Sequence, residues 1–429
     1  MEGSRSRNAI PWMVLLLVLA AAVPCRAFHA GGVGDCSGCH DMHQPPGTGG
    51  SSPPGNPHFL KSVDPGSTCL TCHQSAGEKS PKGHLVATAD SDMAPGLPPV
   101  QLTPGGDFGW LKKDYRWARG EEGGSGQSPG DRHGHNIVAA AFRYVPDPVL
   151  AAAPGGSYPS RELSCISCHD PHGRFRRLSD GSIGKEGAPI RSSGSYDNSA
   201  SPTPAGAVGV YRLLGGKGYS TLATQHLPFA SDPPAAVAPA DYNREEGNVD
   251  TRVAYGSGMS EWCANCHAAL LGGGGASRIH PSGKSVRLSA GVIANYNAYV
   301  ASGNLRGSRA TAYDSMVPFE MGTEDYPLLK RTAGSGGAHP EGPDENANVM
   351  CLSCHRAHAS GWDQATRWTM RTEFLVFNGD YPGVDDAAVP SRISQGRTRA
   401  ETRRTFYGRP ASRYATYQRS LCNKCHARD

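Results

Sequence analysis

The chain has 429 residues, of which 38% are hydrophobic, and a formal net charge of +4. Its 55 glycines and 34 prolines favour loops, so the composition argues against long helices or extended strands around one large apolar core. Neither the charge nor the length indicates a class of function. Because side-chain packing alone is a weak basis for this fold, the 13 cysteines are the candidates for organising it.

Residues 1–27 have the pattern of a secretory signal peptide. Two arginines precede an apolar run over residues 13–23, and small residues precede the predicted cleavage site. The run is too short to span a membrane, and no later stretch reaches the ~20 apolar residues required. Lipid attachment at Cys25 is a weaker interpretation because Pro24 directly precedes it. The sequence therefore predicts an exported mature chain, 28–429, without a transmembrane span.

The mature chain has twelve cysteines, and all lie in six copies of the motif Cys-x-x-Cys-His, which we number 1 to 6 in chain order. This is the attachment signature of c-type haem, in which two thiols form thioethers with the haem and the adjacent histidine binds the iron. We predict six covalently bound haems c. The cysteines predicted to attach them are Cys36, Cys39, Cys69, Cys72, Cys165, Cys168, Cys263, Cys266, Cys351, Cys354, Cys422 and Cys425. The predicted proximal iron ligands are His40, His73, His169, His267, His355 and His426.

A single copy of the motif has other interpretations: a redox dithiol, half of a zinc site or part of a disulfide framework. Six copies that all end in histidine and leave no cysteine over make these interpretations much weaker. Attached haems also change the charge balance, because the two propionates of each haem outweigh the small basic excess of the polypeptide. The sequence therefore predicts no nucleic-acid partner.

The second axial position of each iron distinguishes an electron carrier from an enzyme, because a catalytic haem keeps that position open. The chain has 17 histidines, which leaves eleven for six distal positions. We predict that two histidines bind every iron and that the chain is an electron-transfer protein, not an enzyme. The predicted distal ligands are His43, His84, His135, His172, His280 and His358, with His29 in reserve. The remaining histidines, predicted to be solvated, are His58, His133, His226 and His339.

Three distal candidates, His43, His172 and His358, follow a motif histidine by three residues. Such a residue lies on the same side of a helical turn as the motif histidine, so it reaches another haem nearby more easily than the far face of its own. The alternative is a hydrogen bond to a propionate or a carbonyl. The other candidates lie in loop-like segments downstream of a motif, where the chain can wrap around a haem.

Regular elements between the motifs are predicted to be few. Apolar or aromatic residues recur at helical spacing in Asn136–Arg143, Ala290–Ala301, Asp363–Phe377 and Arg399–Tyr407. Stretches rich in glycine and proline, predicted to be loops, are 45–57, 120–134, 192–209 and 334–343. The predicted fold is mostly irregular coil with a few short α and 3-10 helices and almost no β structure. It forms a single multihaem domain organised around a chain of six haems.

Seven segments resemble one known family along the whole mature chain. They are FHAGGVGDCSGCHDMH (28–43), PGGDFGW (104–110), GHNIVA (134–139), CISCHDPHG (165–173), RVAYGSGMSEWCANCH (252–267), CLSCHRAHASG (351–361) and YQRSLCNKCHARD (417–429). In these segments the chain resembles the hexahaem outer-surface cytochrome S (OmcS) nanowire family of metal-reducing bacteria. The resemblance implies two histidine ligands on every haem, a mostly coil fold and polymerisation into extracellular filaments.

The resemblance also implies how neighbouring protomers join. In the family, the histidine that corresponds to His43 ligates the fifth haem of the adjacent protomer, which here is the haem of Cys351, Cys354 and His355. A motif near each end of the mature chain is compatible with such head-to-tail contact, which propagates into a filament unless it closes into a ring. Additional family histidines near motifs 2 and 4 are absent here, where the chain has Gln74-Ser75 and Ala268-Ala269.

The functional prediction is extracellular long-range electron transfer through a cytochrome filament on the outer cell surface. Its expected partners are identical protomers, other outer-surface cytochromes, and acceptors such as ferric oxides or electrodes. The chief alternative is a periplasmic or outer-surface carrier with the same haems and no filament. A multihaem reductase is a weaker alternative, because such enzymes need an open iron and often replace a motif histidine by lysine, whereas all six motifs here keep histidine.

Overall fold

The computed structural model describes residues 36–41, 59–75, 84–120, 123–240, 252–271, 279–334 and 340–426. Within these ranges the backbone is mostly coil and turn, which confirms the predicted fold class of irregular coil with a few short helices. None of the described helices is long and apolar enough to cross a membrane. The proposed leader, the reserve ligand His29 and the distal candidate His43 lie outside the described residues, as do His58 and His339.

The helices are short and begin at residues suited to capping. Asp64 starts the helix Pro65–His73 by accepting the N–H of Ser67, and Thr398 and Glu401 form a capping box at the start of the helix Arg399–Thr405. In the described ranges the α-helices are α1 (Cys36–Cys39), α2 (Pro65–His73), α3 (Cys165–Cys168), α4 (Met259–Cys263), α5 (Ala290–Ala298), α6 (Tyr326–Ala333), α7 (Ser391–Ser394) and α8 (Arg399–Thr405). The 3-10 turns are Asp90–Asp92, Phe108–Lys112, Gly130–Arg132, Ala140–Phe142, Ser160–Glu162, Tyr211–Leu213, Leu222–Thr224, Ala268–Leu270, Cys351–Ser353, Asp363–Ala365, Ala411–Arg413 and Leu421–Lys424.

The strands form three small antiparallel sheets in the described part of the chain. Strands β1 (Tyr115–Ala118) and β2 (Ser125–Ser128) make a hairpin with Tyr115 opposite Ser128. The central strand of a three-stranded sheet pairs with both neighbours; its members are β3 (Arg176–Arg177), β4 (Ile183–Gly184) and β5 (Val208–Gly209). The third sheet pairs β6 (Ala235–Val237) with β7 (Ala254–Ser257), whose residues are all buried.

Two of the four predicted helices form and two do not. The segments at 290–301 and 399–407 contain α5 and α8, whereas 136–143 has only the turn Ala140–Phe142 and 363–377 only the turn Asp363–Ala365. In the first failed case the N–H of Val138 bonds to the carbonyl of Leu163, which is a partner outside the segment. The predicted loop at 120–134 also contains β2, because Ser125–Ser128 has β1 available as a pairing partner.

Apolar packing is divided among six small clusters of the described residues instead of one continuous core. The largest contains Trp362, Trp368 and Phe406 and packs against cysteines of motifs 5 and 6. A second places Leu70 of α2 against Cys165 of motif 3. Two further clusters pack against Cys263 and Cys266, so the cysteines of motifs 3 to 6 border the packed interior, whereas Cys36 and Cys39 of motif 1 are exposed.

Successive motifs are neighbours in space. Helix α2 packs against α3, and α4 packs against the turn Cys351–Ser353, so motifs 2 and 3 and motifs 4 and 5 form contacting pairs. Thiols of successive motifs also lie close enough to change one another's pKa. Proximity of Cys351 raises the pKa of Cys263, and Cys165 lowers that of Cys69. The pKa of Cys39 is raised in part by Cys69, that of Cys168 by Cys266 and that of Cys354 by Cys422. The six motifs therefore follow one another through the molecule in chain order.

A buried carboxyl lies between the segments that lead into motifs 4 and 5. Glu320 is 0% exposed, and its side chain accepts the N–H of Met259 at 2.6 Å and the amide of Asn348 at 2.7 Å. Burial raises the pKa of Glu320 to about 7, and the nearby Glu261 carboxylate adds to the increase. The carboxyl therefore changes its charge near neutral pH.

The raised pKa of Glu320 predicts that the free energy of unfolding falls as the pH rises. An ordinary glutamate has a pKa of 4.5, so between that pH and about 7 the folded chain binds the extra proton and unfolding becomes easier as the pH increases. The loss of unfolding free energy attributable to Glu320 is about 3 kcal/mol. Glu320→Gln should remove this pH-dependent loss, so the variant should be more stable than wild type at pH 8. Thermal denaturation at pH 5 and pH 8 measures this, with the exposed Glu186→Gln as control; equal pH dependence in Glu320→Gln and wild type would contradict the assignment.

Candidate haem-binding site

Each motif begins on a helical turn that brings its histidine next to its first cysteine. The N–H of the motif histidine bonds to the carbonyl of the first cysteine in five motifs: His40 to Cys36, His169 to Cys165, His267 to Cys263, His355 to Cys351 and His426 to Cys422, at 2.8–3.0 Å. In motif 2 the corresponding residues lie inside α2. This four-residue hydrogen bond closes the motif into one turn, so both thiols and the imidazole project from a compact unit.

The motif histidines are oriented by backbone carbonyls. In four of the six motifs the Nδ1 atom of the histidine donates to a carbonyl oxygen on another segment: His73 to His84 at 2.6 Å, His169 to Arg212 at 2.7 Å, His267 to Pro154 at 2.8 Å and His355 to Gln364 at 2.7 Å. Two distal candidates are held similarly, His135 by Ala357 at 2.7 Å and His280 by Pro281 at 2.8 Å. With Nδ1 engaged, Nε2 is the nitrogen left to bind a metal.

Five pairs of imidazole rings face each other at nearly the same separation. The centroid distances are 6.1 Å for His40–His172, 6.4 Å for His73–His84, 6.0 Å for His135–His267, 6.4 Å for His169–His358 and 6.1 Å for His280–His426. A bond from a metal to an imidazole nitrogen is about 2 Å long. Two rings on opposite sides of one metal therefore have centroids about 6 Å apart, and the observed separations fit an iron held between two histidines.

Each of the five pairs joins one predicted proximal ligand to one predicted distal ligand. His172 and His358 lie opposite the histidines of earlier motifs, motif 1 and motif 3, and not on the far side of their own motifs. His84 lies opposite its own motif histidine, whereas His135 and His280 lie opposite histidines that come later in the chain. The pairing therefore crosses between motifs, and the roles of these residues as iron ligands stay predictions.

His355 of motif 5 is the exception. In the described part of the chain no second imidazole faces it, although its Nδ1 is bonded to Gln364 and its side chain is exposed. Of the six predicted distal ligands, His43 is the one that belongs to none of the five pairs, and it lies outside the described residues. The reserve candidate His29 also lies outside the described residues, so the distal ligand of His355 stays a prediction.

Burial keeps several of these imidazoles neutral. It lowers the pKa of His135 and His169, and lowers the pKa of His358 to about 3. The positive charge of Arg212 contributes to the decrease at His169 and His358. A neutral imidazole has a nitrogen lone pair available for a metal, so these environments favour iron binding over protonation.

One histidine prediction is wrong. His133 was predicted to be solvated because its segment is polar and glycine-rich, but it is 0% exposed and bonds to Ser128 and to the carbonyl of Trp110. Its burial follows from the β1–β2 hairpin, which brings Ser128 over it, and lowers its pKa to about 4. His226, also predicted to be solvated, is exposed.

Two residues next to His358 have roles that the histidine pattern does not reveal. Phe108 stacks on the His358 ring with centroids 4.7 Å apart, and Gly105 lies so close that an added Cβ would be 2.8 Å from Nδ1 of His358. A glycine is therefore required at 105 for the ring to occupy this position. Both residues belong to the conspicuous segment PGGDFGW, which was the only signal that they matter.

Comparison with known sequences and solved structures found relatives that match most or all of the chain. No protein-family model matches it. The chain is 47% identical over 436 aligned positions to the C-type cytochrome OmcS of Geobacter sulfurreducens, covering 100% of both chains. It is also similar to two solved structures from that organism, a cryo-EM structure of OmcS nanowires and an outer membrane cytochrome S filament. Each is 46% identical, with a TM-score of 0.85 over 94% of this chain and 100% of the other.

Proposed function

Because this chain belongs to the family of the C-type cytochrome OmcS, we propose that it carries electrons outside the cell as the protomer of a cytochrome filament. The observation that carries the proposal is the set of five imidazole pairs 6.0–6.4 Å apart, each with a haem-attachment motif on one side. Bound haem iron supplies one-electron exchange between ferric and ferrous states. The polypeptide supplies attachment, axial ligands and spacing.

Six haems are proposed from the twelve motif cysteines and six motif histidines named above. The distal ligands would be His84, His135, His172, His280 and His358 within one protomer. Two strong nitrogen ligands fill the coordination sphere in both oxidation states, so the iron environment changes little when an electron passes. Neighbouring motifs in chain order would place the haems in one continuous row, which supports transfer along the molecule.

Filament assembly is proposed to use His43 and His355 of adjacent protomers. Within the protomer, the histidine three residues after motif 3 faces motif 1, and the one three residues after motif 5 faces motif 3. His43 stands three residues after motif 1 and, in the next protomer, would face motif 5 in the same way. The relatives solved as nanowires and filaments support the assembly of identical protomers. Assembly would then depend on iron coordination.

The remaining parts of the proposal concern location and partners. Residues 1–27 would direct export and be removed, which leaves 28–429 at the outer cell surface. Other outer-surface cytochromes would deliver electrons, and ferric oxides or electrodes would accept them. The non-filamentous carrier remains the alternative; a reductase is disfavoured by the five facing imidazole pairs, which leave no second side open at those positions.

Haem count and particle shape test this proposal together. Intact mass of the exported protein, with a pyridine haemochrome assay, should give six haems per chain, and negative-stain images of material sheared from cells should show filaments. Carbon monoxide should bind a negligible fraction of the haem in filaments. Discrete particles with six haems would favour the non-filamentous carrier. Strong carbon monoxide binding in intact filaments, or fewer than six haems, would contradict the proposal itself.

A further inference from the structure

The three odd-numbered motifs share a local backbone arrangement that is not found at the even-numbered motifs among the described residues. In each, the motif histidine forms an isolated antiparallel bridge with a distant residue: His40 with Leu60, His169 with Leu214 and His355 with Thr366. The residue after the histidine donates its N–H to the residue before the bridge partner, as Asp41 to Phe59, Asp170 to Leu213 and Arg356 to Ala365, all at 2.7 Å. The same register at three places identifies one repeated element.

The accepting residues have left-handed backbone conformations. Their φ angles are +50° at Phe59, +56° at Leu213 and +53° at Ala365. At motifs 3 and 5 the preceding residue is left-handed too, with φ of +52° at Arg212 and +56° at Gln364. Residues with a side chain rarely adopt these angles, and two in succession are rarer. Five of the nine such non-glycine residues in the described ranges lie in these three turns.

The left-handed pair aims a carbonyl at the proximal imidazole. The carbonyls of Arg212 and Gln364 accept the Nδ1–H of His169 and His355, each at 2.7 Å. At motifs 2 and 4 the accepting carbonyls belong to His84 and Pro154, neither of which has a positive φ. Unfavourable backbone angles persist only where the surrounding structure imposes them, and they concentrate at functional positions.

We propose that the turns Arg212–Leu213 and Gln364–Ala365 are positioning elements that fix the ring orientation and electron-donor strength of the proximal imidazoles at haems 3 and 5. The inference rests on the proposed binding of six haems. A strong Nδ1–H to carbonyl hydrogen bond makes the imidazole a better donor to iron, which favours the ferric state. The turns therefore lower the potentials of haems 3 and 5 below the values that a relaxed backbone would give.

Substitutions at Gln364 that differ in backbone preference test this proposal. Gln364→Val disfavours a positive φ because valine is β-branched, whereas Gln364→Gly adopts it readily. In Gln364→Val, about one sixth of the low-spin haem intensity in the electron paramagnetic resonance spectrum should move to a new g value, and one midpoint potential should rise. Gln364→Gly should keep the wild-type spectrum and potentials. Gln127→Val is the matched control, because Gln127 is exposed in strand β2.

The outcomes separate the turn from the wider proposal. A wild-type spectrum in Gln364→Val with six haems attached would overturn the positioning role, as would equal changes in Gln364→Gly and Gln364→Val. If Gln364→Val does not accumulate as holoprotein, Gln364→Ala replaces it, with a smaller change in the same direction expected and an unchanged spectrum counting against the role. Fewer than six haems in the wild type would instead contradict the proposed function.

Discussion

His43→Ala is expected to abolish filament assembly while the protomer still folds and carries six haems. Within the described residues, His355 is the motif histidine for which no facing imidazole is found, and its ring is oriented by Gln364 toward an exposed side. Removing the proposed ligand from the neighbouring protomer leaves that iron five-coordinate. About one sixth of the haem should then become high-spin and bind carbon monoxide. Negative-stain imaging and a carbon monoxide difference spectrum measure the two effects.

His226→Ala is the matched control for this experiment. His226 is exposed, so its loss should change neither filament length nor carbon monoxide binding. Added imidazole should restore the low-spin spectrum of His43→Ala without restoring filaments, because free imidazole fills the coordination site but joins no protomers. Normal filaments from His43→Ala would show that another contact carries assembly. A loss of attached haem in this variant would assign His43 a role within its own protomer.

Asp107→Ala should cause the largest loss of stability of any single substitution considered. The Asp107 side chain is 1% exposed and accepts three backbone N–H groups, from Thr88, Gln101 and Gly109 at 2.7–2.9 Å, and the hydroxyl of Thr88. Alanine leaves these donors buried without an acceptor, at about 1–3 kcal/mol each. Allowing for relaxation, we expect a loss of about 3–5 kcal/mol in unfolding free energy.

Thermal denaturation of the holoprotein measures this effect, and an exposed aspartate provides the comparison. Asp180→Ala removes an exposed carboxylate that caps only the local turn at Ser182, so its effect on unfolding should be much smaller. Asp107→Asn should fall between the two, because one amide oxygen replaces two carboxylate oxygens. The loss in Asp107→Ala should also reach the haem site, since Phe108 stacks on His358. A stability change as small as that of Asp180→Ala would contradict the role assigned to Asp107.

The sequence predicted the local grouping of thiols and histidine in each motif better than the backbone that connects the motifs. The six motifs are local, and their spacing specifies both thiols and a histidine within one helical turn. Helix α8 was equally visible, since Thr398 and Glu401 have capping-box spacing. The segment at 363–377 shows why the other helices failed. There the carbonyl of left-handed Gln364 accepts the Nδ1–H of His355, and the N–H of Leu375 bonds to the carbonyl of Gln418. The backbone conformation of this segment is therefore set by partners outside a local helix.

The imidazole partners of the motif histidines were harder to predict than the motifs. The set of distal candidates follows from counting histidines, but the pairing of His135 with His267 joins residues far apart in sequence and has no local signal. The carbonyls of Pro154 and Arg212 that orient His267 and His169 are backbone groups, and any residue type supplies one. His133 was misjudged for a related reason, because its burial depends on a hairpin that pairing alone creates.

The facing of imidazoles across motifs has a consequence for how the chain matures. His172 lies opposite His40, and His358 lies opposite His169, so the partner ring for each early motif is synthesised and exported later than the motif itself. A nascent chain truncated after its first third would therefore have attachment sites but incomplete metal coordination. The imidazole that faces motif 3 is supplied only by His358, so this pair cannot form until most of the polypeptide has been exported.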